Sequence, residues 1–123
     1  MAHEFSFGFE RLNVWQESRE LSKRIYVSTK GFPGEEKFGI VNQMRRAAVS
    51  VCSNIAEGSS RTSAKDQAHF YQLAYSSLME LMNQVIIAND LDYLNNDQKN
   101  NFRLEIEKIA NKLNALRNSR LNR

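Results

Sequence analysis

The stretch Gln43–Gly58, "QMRRAAVSVCSNIAEG", carries two regular stripes when wound at about 100° per residue. Val41, just before it, joins Met44, Ala48, Val51 and Ile55 on one side, at three- and four-residue steps. Gln43, Arg46, Ser50, Asn54 and Glu57 fall on roughly the opposite side. A helix whose back faces water usually shows long charged residues there. This back is mostly short and hydrogen-bonding, with Ala47, Val49 and Ala56 along its borders. Three readings stay open: a solvated face, a packed contact with another helix or subunit, and a nucleic-acid or catalytic face. Arg46 can pair with Glu57 or with a partner's carboxylate. Arg45 lies well round the helix from Arg46 and is free to meet phosphate.

The same spacing recurs on either side of this helix. Val14, Ser18, Leu21, Ile25 and Ser28 form one stripe, Phe70, Ala74, Leu78, Leu81, Val85 and Ala88 another, and Phe102, Ile106, Ile109, Leu113 and Leu116 a fourth. Three breaks separate the segments. In "GFPG" (31–34), Gly31 can end a helix in the left-handed region, Pro33 cannot continue one, and Glu35 and Glu36 suit a helix N-terminus. In "GSSRTS" (58–63), Gly58 can end a helix and Ser63 can cap the next, three residues before Asp66. In "DYLNND" (92–97), Asn95 or Asn96 can cap. The pattern predicts helices over about 12–30, 35–58, 64–91 and 97–119, with residues 11–123 forming one domain. Short connections make this an all-α, antiparallel up-down-up-down four-helix bundle. Residues 1–10 read as an irregular arm whose Phe5, Phe7 and Phe9 can pack on the bundle or on a neighbouring chain.

A chain of 123 residues with 41% hydrophobic and 25% charged residues suits one such core. No apolar run approaches the roughly 18–20 residues that span a bilayer, and the N-terminus lacks a secretory pattern. No membrane partner is therefore expected. Cys52 alone cannot form an internal disulfide and reads as a small buried hydrophobe, so the expected location is the cytoplasm. Net charge is +3 but uneven. Residues 1–98 hold ten Lys/Arg against twelve Asp/Glu, net −2, and residues 99–123 hold seven against two, net +5. A basic C-terminal end suits an acidic partner, or simply complements a helix dipole.

Three stretches, "LNVWQES", "FPGEEKFGIVNQMRRAAVSVCSNIAEGSSR" and "SSLMELMNQVIIANDLDYL", together resemble the four-helix-bundle proteins encoded in intervening sequences of bacterial 23S ribosomal RNA genes. Asp92 stands where such proteins often carry glycine in an "LGYL"-like turn. The resemblance implies a cytoplasmic bundle that assembles into a ring-like homo-oligomer, a pentamer, with RNA as the usual suspected partner. A similar bundle is the accessory variability protein of diversity-generating retroelements, a basic ring that works beside a reverse transcriptase and its RNA. In a ring, Gln43, Arg46, Ser50, Asn54 and Glu57 become subunit-interface residues, with Arg46 and Glu57 setting register.

Catalysis is not expected. A bundle di-metal site needs glutamates and two Glu-x-x-His pairs, whereas only His3 and His69 are present and Asp66–His69 is a single Asp-x-x-His, so no metal or cofactor is assigned. Arg61 and His69 lie too far apart for the Arg–spacer–His pattern of helical ribonucleases, and "GSSRTS" lacks the glycine and lysine of a phosphate loop. The nucleic-acid candidates form two groups: Arg45, Arg61 and Lys65, and then Lys108, Lys112, Arg117, Arg120 and Arg123. Tyr71, Tyr75 and Tyr93 are candidates to stack on bases or to complete a core. The expected function is a non-catalytic oligomer binding structured RNA through its backbone. The alternative is a ring that recruits a polypeptide, such as a reverse transcriptase, without touching RNA.

Overall fold

Ser63 opens the longest helix by accepting, on its hydroxyl, the Asp66 backbone N–H at 3.1 Å. Asn95 opens the last through a reciprocal box, its side chain accepting from Gln98 N and the Gln98 side chain accepting from Asn95 N, both at 2.8 Å. The computed structural model describes residues 6–122. Among them the helices are α1 (Asn13–Thr29), α2 (Ile40–Ser60), α3 (Ala64–Asp90) and α4 (Asn96–Leu121), and there is no strand. The chain is an all-α, single-domain, antiparallel four-helix bundle. No described helix is long and apolar enough to cross a membrane.

The expected stripes become the core. Leu21 and Ile25, Met44, Ala48, Val51 and Ile55, Leu78, Leu81 and Val85, and Ile106, Ile109 and Leu113 are all buried together. Two stripe positions move by one residue. Thr29 rather than Ser28 is buried, its hydroxyl donating to Ile25 O at 2.7 Å, and Tyr71 rather than Phe70 is buried. At the base of the bundle the Phe32 and Tyr93 rings meet, with centroids 5.3 Å apart.

Three boundaries depart from expectation. α2 begins at Ile40 rather than at 35, because a 3₁₀ turn over Gly34–Glu36 follows Pro33 and Gly39 then adopts non-helical backbone (φ −106°, ψ −118°). Gly58 does not end α2. It lies inside the helix, buried, where a Cβ would sit 2.8 Å from the Tyr71 ring and 3.1 Å from Phe70 Cβ, so its bareness lets α3 approach. Gly31 does not turn left-handed; Asp92 does, with φ 63°. There Tyr93 N–H donates to Ala88 O at 2.9 Å and Asp92 N–H to Asn89 O at 3.0 Å, the paired bonds that close off α3.

The arm is not wholly irregular. Gly8–Arg11 forms a 3₁₀ turn, Phe9 meets Trp15 edge-on with centroids 5.0 Å apart, and Phe7 stacks on Phe9. The expectation for Phe5 lies outside the described residues. α2 packs closely on α3, and α3 on α4. α1 leans on α2 and touches α4 lightly, leaving a groove lined by Gln16, Glu20, Glu105 and Ile109.

Candidate nucleic-acid interface

The topology gathers the end of α2, the start of α3 and the end of α4 at one end of the bundle. Arg61 and Lys65 come there exposed, and Arg117 and Arg120 partly buried. Arg61 is fixed in place: it pairs with Glu57 one turn back at 2.9 Å, and its guanidinium lies 4.5 Å from the Phe70 ring centroid. Lys65 enters no described ion pair. Arg117 donates to the Gln72 side chain on α3, and Arg120 lies against the Tyr71 phenol. Burial pushes the Tyr71 phenol above its ordinary pKa while Arg120 pulls it back. Arg123 lies outside the described residues.

Lys108 and Lys112 do not join this group. Both turn toward α1, where Lys112 donates to Glu17 at 2.5 Å and Lys108 stands 3.7 Å from the same carboxylate. Farther along the groove Arg24 on α1 pairs with Glu105 on α4. The positive charge of α4 is therefore divided. Lys108 and Lys112 latch α1, and Arg117 and Arg120 face the α2–α3 end.

Arg45 is not free. Its Nε donates to Thr29 Oγ1 at 2.9 Å and Nη2 to Tyr26 O at 3.2 Å, with the guanidinium 4.6 Å above the Tyr26 ring. It belongs to the opposite end of the bundle, where a pocket of about 250 Å³ is lined by Lys30, Lys37 and Arg45 among others. Lys30 and Lys37 flank the "GFPG" break and escaped the sequence reading, which took that segment only as punctuation.

The small-residue stripe of α2 divides as well. Ser50 and Ser77 hydroxyls meet at 2.9 Å, and Asn54 donates to the Ser50 backbone and side-chain oxygens at 2.9 and 3.1 Å. That portion is the seam with α3 of the same chain. Gln43 and Arg46 remain exposed, and Glu57 is engaged by Arg61 rather than by Arg46. Arg46 and Glu80 line one pocket of about 390 Å³ with Gln43, Ala47 and Ser50. Neither enters a described ion pair. One turn beyond Glu80, Gln84 is 4% exposed and its Oε1 lacks a hydrogen-bond partner. Gln84 was missed because its place beside α2 follows only from helix–helix register.

The stacking candidates separate similarly. Tyr71 is core, while Tyr75 and Tyr93 pack partly buried against it. Tyr93 donates to Glu36 at 2.8 Å, and this bond to a carboxylate raises its pKa, with burial adding to the effect. Burial also raises the Cys52 thiol, which meets the Ser22 hydroxyl at 3.7 Å and is a poor nucleophile. His69 is exposed beside Phe70. Among the described residues no three His, Cys, Asp or Glu side chains are grouped to hold a metal.

Comparison with known proteins follows the fold. No curated protein matches the chain. A crystal structure of a protein with unknown function, from the S23 ribosomal protein family of Bacteroides thetaiotaomicron, superposes with a TM-score of 0.75 at 20% identity, covering 84% of this chain and 96% of that one. The family model for the 23S rRNA-intervening sequence protein matches residues 10–115, which takes in all of the first three helices and most of α4. This chain is a member of the 23S rRNA-intervening sequence protein family.

Proposed function

We propose that the protein is a non-catalytic, oligomeric RNA-binding or ribonucleoprotein accessory factor of the cytoplasm, assembled as a pentameric ring. The observation that carries this reading is the collection of Arg61, Lys65, Arg117 and Arg120 at one end of the bundle. A single chain of net charge +3 attracts RNA weakly. Repeating that end around a ring multiplies the contacts, and weak phosphate contacts then sum to a useful affinity. The unpaired Arg46 and Glu80 beside the α2–α3 seam support self-association, since opposite charges on one exposed surface suit a second copy.

The test replaces Arg61, Lys65 and Arg123 by Gln, leaving Arg117 and Arg120 to hold α3. Affinity for a structured RNA should fall, and its dependence on log salt should flatten by about one per phosphate contact removed. An unchanged slope removes the basic end from the interaction. In parallel, Arg46→Glu and Glu80→Arg should each reduce the mass seen by light scattering, and the double exchange should restore it. A lone bundle in the unaltered protein overturns the ring. A polypeptide retained after nuclease treatment, with no RNA affinity in the purified protein, replaces this reading by that of a scaffold.

A further inference from the structure

The end of the bundle opposite the basic patch carries a feature that the patch does not explain. Lys30, Lys37 and Arg45 converge on the 250 Å³ pocket between the end of α1 and the start of α2, and no carboxylate lines it. Arg45 is oriented in advance: two of its nitrogens are spent on Thr29 and Tyr26, and Nη1 is left without a protein acceptor. Lys30 and Lys37 enter no described ion pair. Glu35 and Glu36 belong to the adjoining turn but neither lines the pocket, and Glu36 accepts from the Tyr93 hydroxyl. Three cations crowded around a cavity repel one another. Such an arrangement is favourable when an anion fills it.

Beside the pocket stands Phe38, 86% exposed, with the Lys37 ammonium 5.5 Å from its ring centroid. The same lysine therefore borders both the cavity and an open aromatic face. A carboxylate or a free inorganic ion would use the pocket and leave the ring idle. A nucleotide uses both. The cavity is below the roughly 300–1,000 Å³ of sites that enclose a whole small molecule, so it takes a phosphate and its sugar while the base lies outside.

We infer that the α1–α2 connection is a nucleotide-binding site, with the phosphate held by Lys30, Lys37 and Arg45 and the base stacked on Phe38. The shared chemistry is a phosphate carrying an unpaired base, supplied either by a free nucleotide or by a single-stranded RNA. The site extends the nucleic-acid reading to the other end of the bundle. It uses none of the residues altered in the test of that reading, so the two fail independently.

The experiment measures anisotropy of a labelled six-residue oligoadenylate with the full chain. Lys30→Gln with Lys37→Gln should weaken binding tenfold or more, because two phosphate contacts are lost. Phe38→Ala should weaken it about fivefold or more, and should have no effect on an abasic oligomer of the same length. All three side chains are exposed, and Arg45 is left intact, so the variants keep the fold; circular dichroism checks this. Competition by 5′-AMP but not by adenosine assigns a terminal or free nucleotide phosphate, whereas oligomer binding that 5′-AMP does not displace assigns an internal phosphodiester. Equal affinity of the unaltered and Lys30/Lys37 proteins, or a Phe38→Ala effect that persists on the abasic oligomer, overturns the site.

Discussion

Gly58 trades helix propensity for closeness. A glycine inside α2 costs about 1 kcal/mol relative to alanine, yet an added Cβ would press on the Tyr71 ring at 2.8 Å. That ring is 1% exposed and has no room to retreat. Gly58→Ala should therefore destabilise the protein by about 1–3 kcal/mol in urea unfolding, and by less in a Tyr71→Leu background. Tyr93 marks a second residue-scale effect. Its phenol is raised by the bond to Glu36, so the folded state holds that proton longer than the unfolded chain does. Its contribution to stability is complete below the unfolded tyrosine pKa of about 10 and declines as pH rises through the folded value. Glu36→Gln should move one component of the phenolate absorbance titration to lower pH, and should soften the alkaline loss of stability. No movement would mean the bond is not formed in solution. None of this was legible in the sequence, because each partner is known only once the helices are packed: Gly58 needs Tyr71, Tyr93 needs Glu36, and Arg45 needs Tyr26.

At the scale of the element, what could be read ahead was whatever a side chain announces. Apolar residues at three- and four-residue steps located the four helices, and the caps at Ser63 and Asn95 opened α3 and α4 as their hydroxyl and amide chemistry requires. The start of α2 could not be read in the same way. Glu35 and Glu36 after Pro33 look like a first turn, and the break at Gly39 is made by backbone alone. Asp92 is the opposite case. It holds φ 63° without the freedom of glycine, at the position that terminates α3. Asp92→Gly should raise stability by about 0.5–1 kcal/mol, seen as a higher urea midpoint at unchanged slope. A lower midpoint would show that the Asp92 side chain stabilises the turn by more than its backbone strain costs.

Across the whole molecule, charge is arranged by topology rather than by sequence order. The excess of positive charge after residue 98 looked like one basic tail. In the bundle, Lys108 and Lys112 turn to Glu17, Arg117 turns to Gln72, Arg120 joins Arg61 and Lys65 at the α2–α3 end, and Lys99 and Arg103 stay near the start of α4, away from that end. The alternating sides of α2 were legible as stripes. Their destinations were not, since Ser50 closes on Ser77 within the chain while Arg46 stays in solvent.

The thin contact between α1 and α4 has a dynamic corollary. The ion pairs that bridge it, Arg24–Glu105 and those of Glu17 with Lys108 and Lys112, are partly open to water and contribute at most about 1 kcal/mol each. A helix anchored on one flank can swing out without melting the other three, a sub-global opening that costs less than complete unfolding. Amide deuterium uptake should accordingly reach the middle of α1, around Leu21, well before the stretch from Leu78 to Val85. Raising ionic strength should widen that interval, so the first helix acts as the hinged stave of an otherwise closed barrel.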